Sequence, residues 1–443
     1  MTTDFLTSAK VRRSWYLYDW ANSAFSTTVI SLFIGPYLTS VAEEGADASG
    51  LIYVLGISMR PGSLFPYAIS ASVLLQVFIL PIIGGIADRI KSRNGLLATF
   101  AYIGSFATMF LYFVKDGNYG LGAFLLILAN LAFGSSIVVA NSYLPDLARP
   151  DSRDAVSSRG WATGYAGGGL LLLLNIILYA GYESFGVTQG EAVRISLMSA
   201  GIWWAIFTIA TVRGLKPLNR PQGKVGKEAL NAGFKELKST IKDAKNYPET
   251  IKFLIAYLFY NDGIQTVISI SGTFAILELK LSEITLVTAI IIVQITALAG
   301  SILLGKWAQT FGTKRVVLVT LFVWSVMVLI TYALPAGQQN PYLIIAAAIG
   351  FVLGGSQALS RSLYSQVIPR KSEAQYFSFY EISERGTSWL GTAAFGLAFG
   401  ITGSYRSSVL LVLAFFVIGG LLLIKVDIRK AIEQAGNPQP KIV

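Results

Sequence analysis

Four polar side chains of the first apolar stretch, residues 15–42, are spaced to share one face of a helix. Asp19, Asn22, Ser23 and Ser26 follow the pattern i, i+3, i+4 and i+7. An acid inside an apolar stretch of this length can exchange a proton or bind an ammonium group, whereas its exposure to lipid would be costly. We therefore expect this face to line a substrate or proton pathway.

The same polar face recurs in the second half of the chain. Asp262, Gln265, Thr266 and Ser269 each follow their counterpart by 243 residues, and Asn261 stands directly before them. Two acid-bearing faces at equivalent places in a duplicated chain indicate one site built by both halves.

Asp19 and Asp262 are the two acids for which we expect a functional role. The alternative is a structural carboxylate near the inner membrane surface, bound to backbone or to Arg13 or Lys252. Asp19 lies six residues after Arg13, about 9 Å along a helix, whereas Asp262 lies ten after Lys252 and is therefore deeper. The spacing favours Asp262 over Asp19 as the proton carrier.

Other polar residues within apolar stretches have two interpretations each. Arg361 could hold a substrate carboxylate, but a basic residue extending to the inner surface is favoured. Asn141 with Gln357, and Asn175 with Tyr165, could bind a polar ligand, although amides in membrane spans more often bond to neighbouring helices.

The composition is typical of a membrane protein with many spans. Of 443 residues, 53% are hydrophobic and only 13% are charged, against about 25% charged in soluble proteins. The net charge of +11 is spread over short runs between apolar stretches, so we expect no nucleic-acid partner. The absence of Cys and His, of phosphate-binding loops and of dinucleotide turns predicts no metal site, no cofactor and no enzymatic activity.

Twelve spans are predicted, with both termini in the cytoplasm. With this orientation, all but five of the 35 Lys and Arg residues fall on the inner side, as the positive-inside rule expects. Trp15 and Trp20 would be interfacial anchors. The spans read as 15–41, 67–88, 95–114, 121–143, 159–181, 194–212, 250–276, 284–304, 316–334, 342–364, 380–401 and 405–425.

The single long polar segment separates two predicted six-helix halves, residues 1–212 and 249–443. Within this linker, 213–248, Leu230, Phe234, Leu237 and Ile241 recur at helical spacing among lysines. Such a helix is expected to lie on the inner membrane surface. A helix that docks a partner is the alternative.

Two loops and one span carry short motifs that resemble the major facilitator superfamily. The loop GGIADRIKSR has the glycine, acid and basic residues that form the superfamily's cytoplasmic gate, and a weaker copy follows 221 residues later with Gln309 in place of the acid. Glycines of the fifth span resemble the antiporter motif, with Tyr165 in place of its proline; close helix packing is favoured for them. The gate residues are Gly84, Asp88, Arg89, Arg93, Gly305 and Arg315; the packing glycines are Gly160, Gly164, Gly168 and Gly169.

Longer strings along essentially the whole chain resemble one subgroup. WYLYDWANSAFSTTVI, RPGSLFPYAISASVLLQ, SRGWATGYAGGGLLLLLN and AYLFYNDGIQTVI look like the UMF-type (unknown major facilitator) family. That family includes vacuole effluxer-like proteins, which release amino acids from autophagic vacuoles. One departure is YFSFYEISERGTSWLG, where Glu381 and Glu384 stand in place of the family's small or neutral residues. They could add a second protonatable site.

The sequence thus predicts an all-α membrane protein with a major facilitator fold, and a secondary transporter that works by alternating access. The resemblance implies export of small polar metabolites, amino acids first, with protons as the coupling ion. A multidrug exporter of the same fold and a non-transporting membrane sensor or scaffold are the alternatives. We expect a monomer in a bacterial-type inner membrane, with a vacuole-type membrane as the alternative.

Overall fold

The computed structural model describes residues 8–218, 227, 228, 231, 243–385, 388–402 and 404–442. Long helices separated by short connections account for most of them. The helices are α1 Ala9–Ala24, α2 Ile34–Glu44, α3 Leu64–Arg89, α4 Arg93–Phe110, α5 Tyr119–Asn141, α6 Leu144–Leu147, α7 Arg153–Ala180, α8 Gln189–Leu215, α9 Pro248–Thr273, α10 Glu283–Phe311, α11 Thr313–Ala333, α12 Gln339–Val367, α13 Glu373–Arg385, α14 Ser388–Thr402, α15 Tyr405–Ile424 and α16 Ile428–Gln434.

Within the described residues, eleven helical segments are long and apolar enough to cross a membrane. They match eleven of the twelve predicted spans, and the prediction of a polytopic helical membrane protein is confirmed. The remaining predicted span, 380–401, falls on α13 and α14, and residues 386–387 between them lie outside the described part.

Two spans contain a π-helical segment: in the first it begins at Phe25, within the polar face, and in the seventh it begins at Phe274, after the polar face. The first span continues from α1 through Phe25–Phe33 into α2, and the seventh continues from α9 through Phe274–Glu278. A π turn places one extra residue per turn, so it rotates the following side chains around the helix axis. Ser31 illustrates this register, because its hydroxyl donates to the carbonyl of Ser26, five residues earlier.

The loop after α2 contains a two-stranded antiparallel hairpin that the sequence analysis did not predict. Strand β1 is Ile52–Val54 and strand β2 is Ile57–Met59. Asp47 organises the turn before it, accepting hydrogen bonds from the backbone of Ser49 and Leu51. The Leu51 bond in particular lowers the pKa of this exposed carboxyl below its usual range.

Two separate apolar cores correspond to the two halves. One is formed by α1–α8 and the other by α9–α16. Between the halves, α3 packs against α13 and α7 against α10. We call the end that carries Lys10 and Arg89, predicted to be cytoplasmic, the inner end, and the end that carries the hairpin the outer end.

The sequence repeat is also a repeat of contacts. A Cβ atom on Gly164 of α7 would lie 2.7 Å from the hydroxyl of Ser23 in α1, and one on Gly391 of α14 would collide with the hydroxyl of Thr266 in α9. Ser23 and Thr266 are equivalent in the repeat. Each polar face therefore packs closely against a helix that presents a glycine.

The predicted amphipathic helix of the linker lies almost entirely outside the described residues. Leu230, Phe234, Leu237 and Ile241 are not among them. The helix and the boundaries of the 213–248 linker therefore stay predictions.

Candidate functional site

A cavity of about 1480 Å³ lies between the two halves. Its wall extends to residues at the outer end, among them Pro36, Phe65 and Tyr342. Its described charged residues gather on the floor, toward the inner end: Asp19, Arg361, Glu381, Glu384 and Arg385. The molecule is therefore open at the outer end and closed beneath this floor.

The floor contains an ion pair that joins the halves. Both terminal nitrogens of Arg361 in α12 lie 3.2 Å from Oδ2 of Asp19 in α1. Ser157 of α7 adds its hydroxyl, 3.0 Å from Nε, and its carbonyl, 2.9 Å from Nη2. The Arg361 side chain is only 3% exposed, so the favoured prediction that it extends to the inner surface is wrong. Its guanidinium binds across the interface instead.

Asn141 of α5 continues this network toward α13. Its Oδ1 accepts from Arg361 at 3.2 Å, and its Nδ2 donates to Oε1 of Glu381 at 2.9 Å. Glu381 also pairs with Arg385, 3.2 Å away, whose guanidinium lies over the ring of Phe133. Donors and acceptors of both halves thus alternate across the floor.

Glu384, one turn further along α13, has a different environment. Its Oε2 accepts a hydrogen bond from the hydroxyl of Tyr257 at 3.2 Å. Its backbone carbonyl accepts from Nδ2 of Asn261 at 3.0 Å. Among the described residues it forms no ion pair.

Asp262 does not line the cavity. Its side chain is fully buried beside Gly391, and neither oxygen has a hydrogen-bond partner on a described side chain. The polar face of the seventh span is therefore divided: Gln265 and Ser269 line the cavity, whereas Asp262 and Thr266 face α14. The alternative of a structural ion pair with Lys252 is also wrong, because Lys252 pairs with Glu249.

The unequal surroundings of Asp19 and Asp262 follow from the repeat. Gly134 of α5 and Tyr143, two residues after α5 ends, recur 221 residues later in α12. By the same offset, Arg361 corresponds to Ala140. Asp19 therefore meets an arginine from the opposite half, whereas Asp262 has an alanine at the equivalent place.

The remaining predicted residues are distributed over the wall. Asn22, Ser26 and Gln265 line the cavity, as do Gln357 and Tyr165. Gln357 bonds to Tyr165 at 3.1 Å rather than to Asn141. Tyr165 is thus bound within the cavity wall and does not pair with an amide of its own helix.

Asn175 of α7 accepts from Ser199 of the neighbouring helix α8, which is the use that the sequence analysis favoured for amides in spans. Two tryptophans have a different role from the one predicted. Trp15 is buried and donates to the carbonyl of Ala140, and Trp20 stacks on Trp203. These two tryptophans belong to the packing between helices, so their assignment as interfacial anchors is wrong.

At the inner end, Asp88 caps a helix of the other half. Its two oxygens accept from the backbone N–H groups of Ala374 at 3.0 Å and Gln375 at 2.9 Å, in the first turn of α13. A Cβ on Gly84 would lie 2.7 Å from the carbonyl oxygen of Ala374. The glycine permits the close approach that lets Asp88 reach the helix terminus.

A second inner contact centres on Asp146. It pairs with the buried Arg93 at 2.6 Å and with Arg370 of the other half at 3.2 Å. Gly305 of α10 faces Ser158 of α7, whereas Arg315 is exposed. Arg89 ends α3 at this same end of the molecule.

The four glycines of α7 face two neighbouring helices, α1 and α10. Gly160, Gly164 and Gly168 face α1, where added Cβ atoms would lie 2.5–3.0 Å from Asp19 or Ser23. Gly169 faces Gln294 of α10.

The sequence analysis identified Glu381 and Glu384 as a departure from family pattern that could add a second protonatable site, but it did not place Arg385 in the site. Two acids and a base at i, i+3 and i+4 in α13 share one helical face, and this spacing was the available signal.

Comparison with known proteins confirms the resemblance and the fold. The family described as "Vacuole effluxer Atg22 like" matches residues 7–436. The chain belongs to this family. The MFS-type transporter YxiO of Bacillus subtilis (strain 168), itself described as uncharacterized, is 29% identical over 420 residues, which cover 94% of each chain. Autophagy-related protein 22 of Yarrowia lipolytica is 27% identical and covers 87% of this chain and 79% of its own length.

Solved structures of major facilitator transporters share the fold. The proton:xylose symporter XylE has a TM-score of 0.68 at 13% identity and covers 94% of this chain and 95% of its own. A bacterial homologue of the iron transporter ferroportin in an outward-facing state has a TM-score of 0.67 at 14% identity and covers 94% and 98%. The chain is a multi-pass membrane transporter with the major facilitator fold.

Proposed function

We propose that this transporter exports small polar metabolites, amino acids first, in exchange for protons. Alternating access would move the two halves about the central cavity. The cavity supports a polar cargo, since its floor carries five charged side chains. Amino acids are proposed because family relatives include the autophagy-related effluxers.

Proton exchange rests on one observation: Asp262 is buried, and no described cationic side chain pairs with it. A charged carboxylate that is fully buried with no described cationic or hydrogen-bonding side chain is strongly disfavoured. The sequence 386–404 contains no charged residue, and α15 contains only Arg406, which pairs with Glu278. In the outward-open state Asp262 therefore holds a proton, and it releases this proton when the helices rearrange.

The inner contacts are proposed as the cytoplasmic gate. The Asp88 cap on α13 and the link from Arg93 through Asp146 to Arg370 close the inner end in this state. Both must open for the cavity to face the cytoplasm. The cytoplasmic position of both termini is also proposed, supported by the positive-inside distribution of Lys and Arg. An inner-membrane location and a monomeric state remain proposals as well.

The experiment is counterflow in proteoliposomes loaded with unlabelled amino acids, tested one at a time for exchange with the labelled form. We expect a subset of amino acids to exchange. We also expect this exchange to stop when a bulky apolar cation occupies the cavity. Exchange of bulky apolar cations alone would replace the amino-acid proposal by a multidrug exporter. Absence of exchange with every solute, together with correct insertion, would favour a sensor or scaffold.

A further inference from the structure

The floor of the cavity has one more negative than positive side chain. Its described acids are Asp19, Glu381 and Glu384, and its described bases are Arg361 and Arg385. Asp19 is bound by Arg361, and Glu381 is bound by Arg385 and Asn141. Glu384 is the acid of the floor that forms no ion pair within the described part of the chain.

The position of Glu384 is fixed by two residues of α9. Tyr257 donates to its carboxylate, and Asn261 donates to its backbone carbonyl. The stretch 386–404, which follows Arg385 in the chain, contains no charged residue that could neutralise it. Glu384 thus presents a carboxyl group to the cavity with its side chain already oriented.

Aromatic rings lie around the Glu384 carboxyl group. Tyr257 stacks on Tyr380 with ring centroids 4.2 Å apart, and Tyr380 and Tyr165 line the cavity. A carboxylate beside aromatic faces is the arrangement that binds ammonium groups in proteins.

An unused donor on the same wall indicates where the rest of a ligand would lie. The indole N–H of Trp161 is buried and has no partner in the described part of the chain, although Trp161 lines the cavity. Its ring also lies 5.3 Å from the Arg361 guanidinium. A carboxylate or carbonyl of a ligand can accept from this N–H while the ligand's cation remains at Glu384.

We propose that Glu384, oriented by Tyr257, binds the ammonium group of the transported solute. The sequence offered Asp19 and Asp262 for this task, but Asp19 is engaged by Arg361 and Asp262 lies outside the cavity. The ligand class is a zwitterion or cation with a primary amine. This inference rests on the proposed function and names the group by which that function selects its cargo.

The test compares three probes that differ only at their charged groups: leucine, N-acetyl-leucine and 3-methylbutylamine. Counterflow competition and thermal shift are measured on wild type, Glu384→Gln, Tyr257→Phe and Glu283→Gln. Glu283 is an exposed acid at the start of α10, outside the cavity, and serves as the matched control. The same set is repeated with each amino acid that exchanges in wild type.

Glu384→Gln is expected to weaken binding of the free amines about tenfold or more, since it removes a charge-assisted hydrogen bond. Tyr257→Phe is expected to weaken it by a smaller factor because the carboxylate remains. The N-acetyl compound should bind equally to wild type and both variants, and Glu283→Gln should match wild type throughout. Should Glu384→Gln not insert correctly, Tyr257→Phe and Glu384→Asp carry the same comparison.

Equal affinity of wild type and Glu384→Gln for the free amines would overturn the ammonium site while leaving the exporter proposal intact. Equal loss of free-amine and N-acetyl binding would also overturn it, because a structural role would then account for the loss. In the remaining case, wild type exchanges no amino acid and Glu384→Gln selectively loses binding of 3-methylbutylamine. This result would support the ammonium site and reject amino acids as the cargo.

Discussion

Arg361 is the side chain to which most groups of the cavity floor are bonded. It contacts Asp19, Asn141 and Ser157, all from the opposite half, and is nearly completely buried. Removal of one partner of a buried ion pair leaves the other as an uncompensated charge, at a cost of about 3–5 kcal/mol. Removal of both partners avoids that cost.

We therefore expect Arg361→Gln to lower the thermal stability of the purified protein more than the double variant Asp19→Asn/Arg361→Gln does. The positive coupling in this cycle measures the interaction between the two side chains. Unfolding in detergent, followed by intrinsic fluorescence, gives the midpoints. Strictly additive midpoints would mean that the pair is not coupled in solution.

The sequence revealed which residues could do chemistry but not how they pair. The spacing of Asp19 with Asn22 and Ser26 predicts the face that does line the cavity, because a helix repeats every 3.6 residues. The partner of Asp19 lies in α12, 342 residues away, and no local pattern reports such a contact. The repeat placed Asp19 and Asp262 at equivalent positions, yet Arg361 stands where the repeat has Ala140, and the surroundings of the two acids differ.

At the scale of helices, α3 packs against α13 at the inner end, and we propose that this contact controls closure there. Gly84 lies where α13 begins, and an added methyl group would meet the backbone at Ala374 and Gln375. Backbone cannot move aside as a flexible side chain can. Any side chain here therefore separates the two helices.

We expect Gly84→Ala to destabilise the closed inner end and to shift the population toward an inward-open state. Gly120→Ala is the control, since nothing lies within 4 Å of the Cβ position at Gly120 in α5. The protein has no cysteine, so spin labels at Lys91→Cys and Lys371→Cys report the inner distance without background. A longer distance in Gly84→Ala alone is predicted; an unchanged distance would show that this contact does not hold the inner end closed.

Apolar stretches predicted the helical segments well because length and hydropathy suffice for a span. They did not predict the π-helical register after α1, which depends on packing against other helices. The hairpin Ile52–Met59 was missed since its strands are too short to show an alternating pattern.

At the scale of the whole molecule, two halves meet at the inner end and part at the outer end. Asp88, Asp146 and Arg361 bond across the inner side, while the cavity wall continues to Phe65 and Tyr342 at the outer end. Proton exchange at Asp262 would couple this state to its inward-open counterpart, since a buried unpaired carboxylate is tolerated only when neutral. The sequence predicted the fold, but the open end is set by contacts between halves.

The most direct measurement of this coupling is proton movement during transport. Proteoliposomes that enclose a pH-sensitive dye are given an amino acid that exchanges in counterflow, and internal pH is followed for wild type, Asp262→Asn and the Glu283→Gln control. Wild type and the control are predicted to move protons against the amino acid, whereas Asp262→Asn keeps counterflow but moves no protons. Undiminished proton movement by Asp262→Asn would contradict the central role given to this residue.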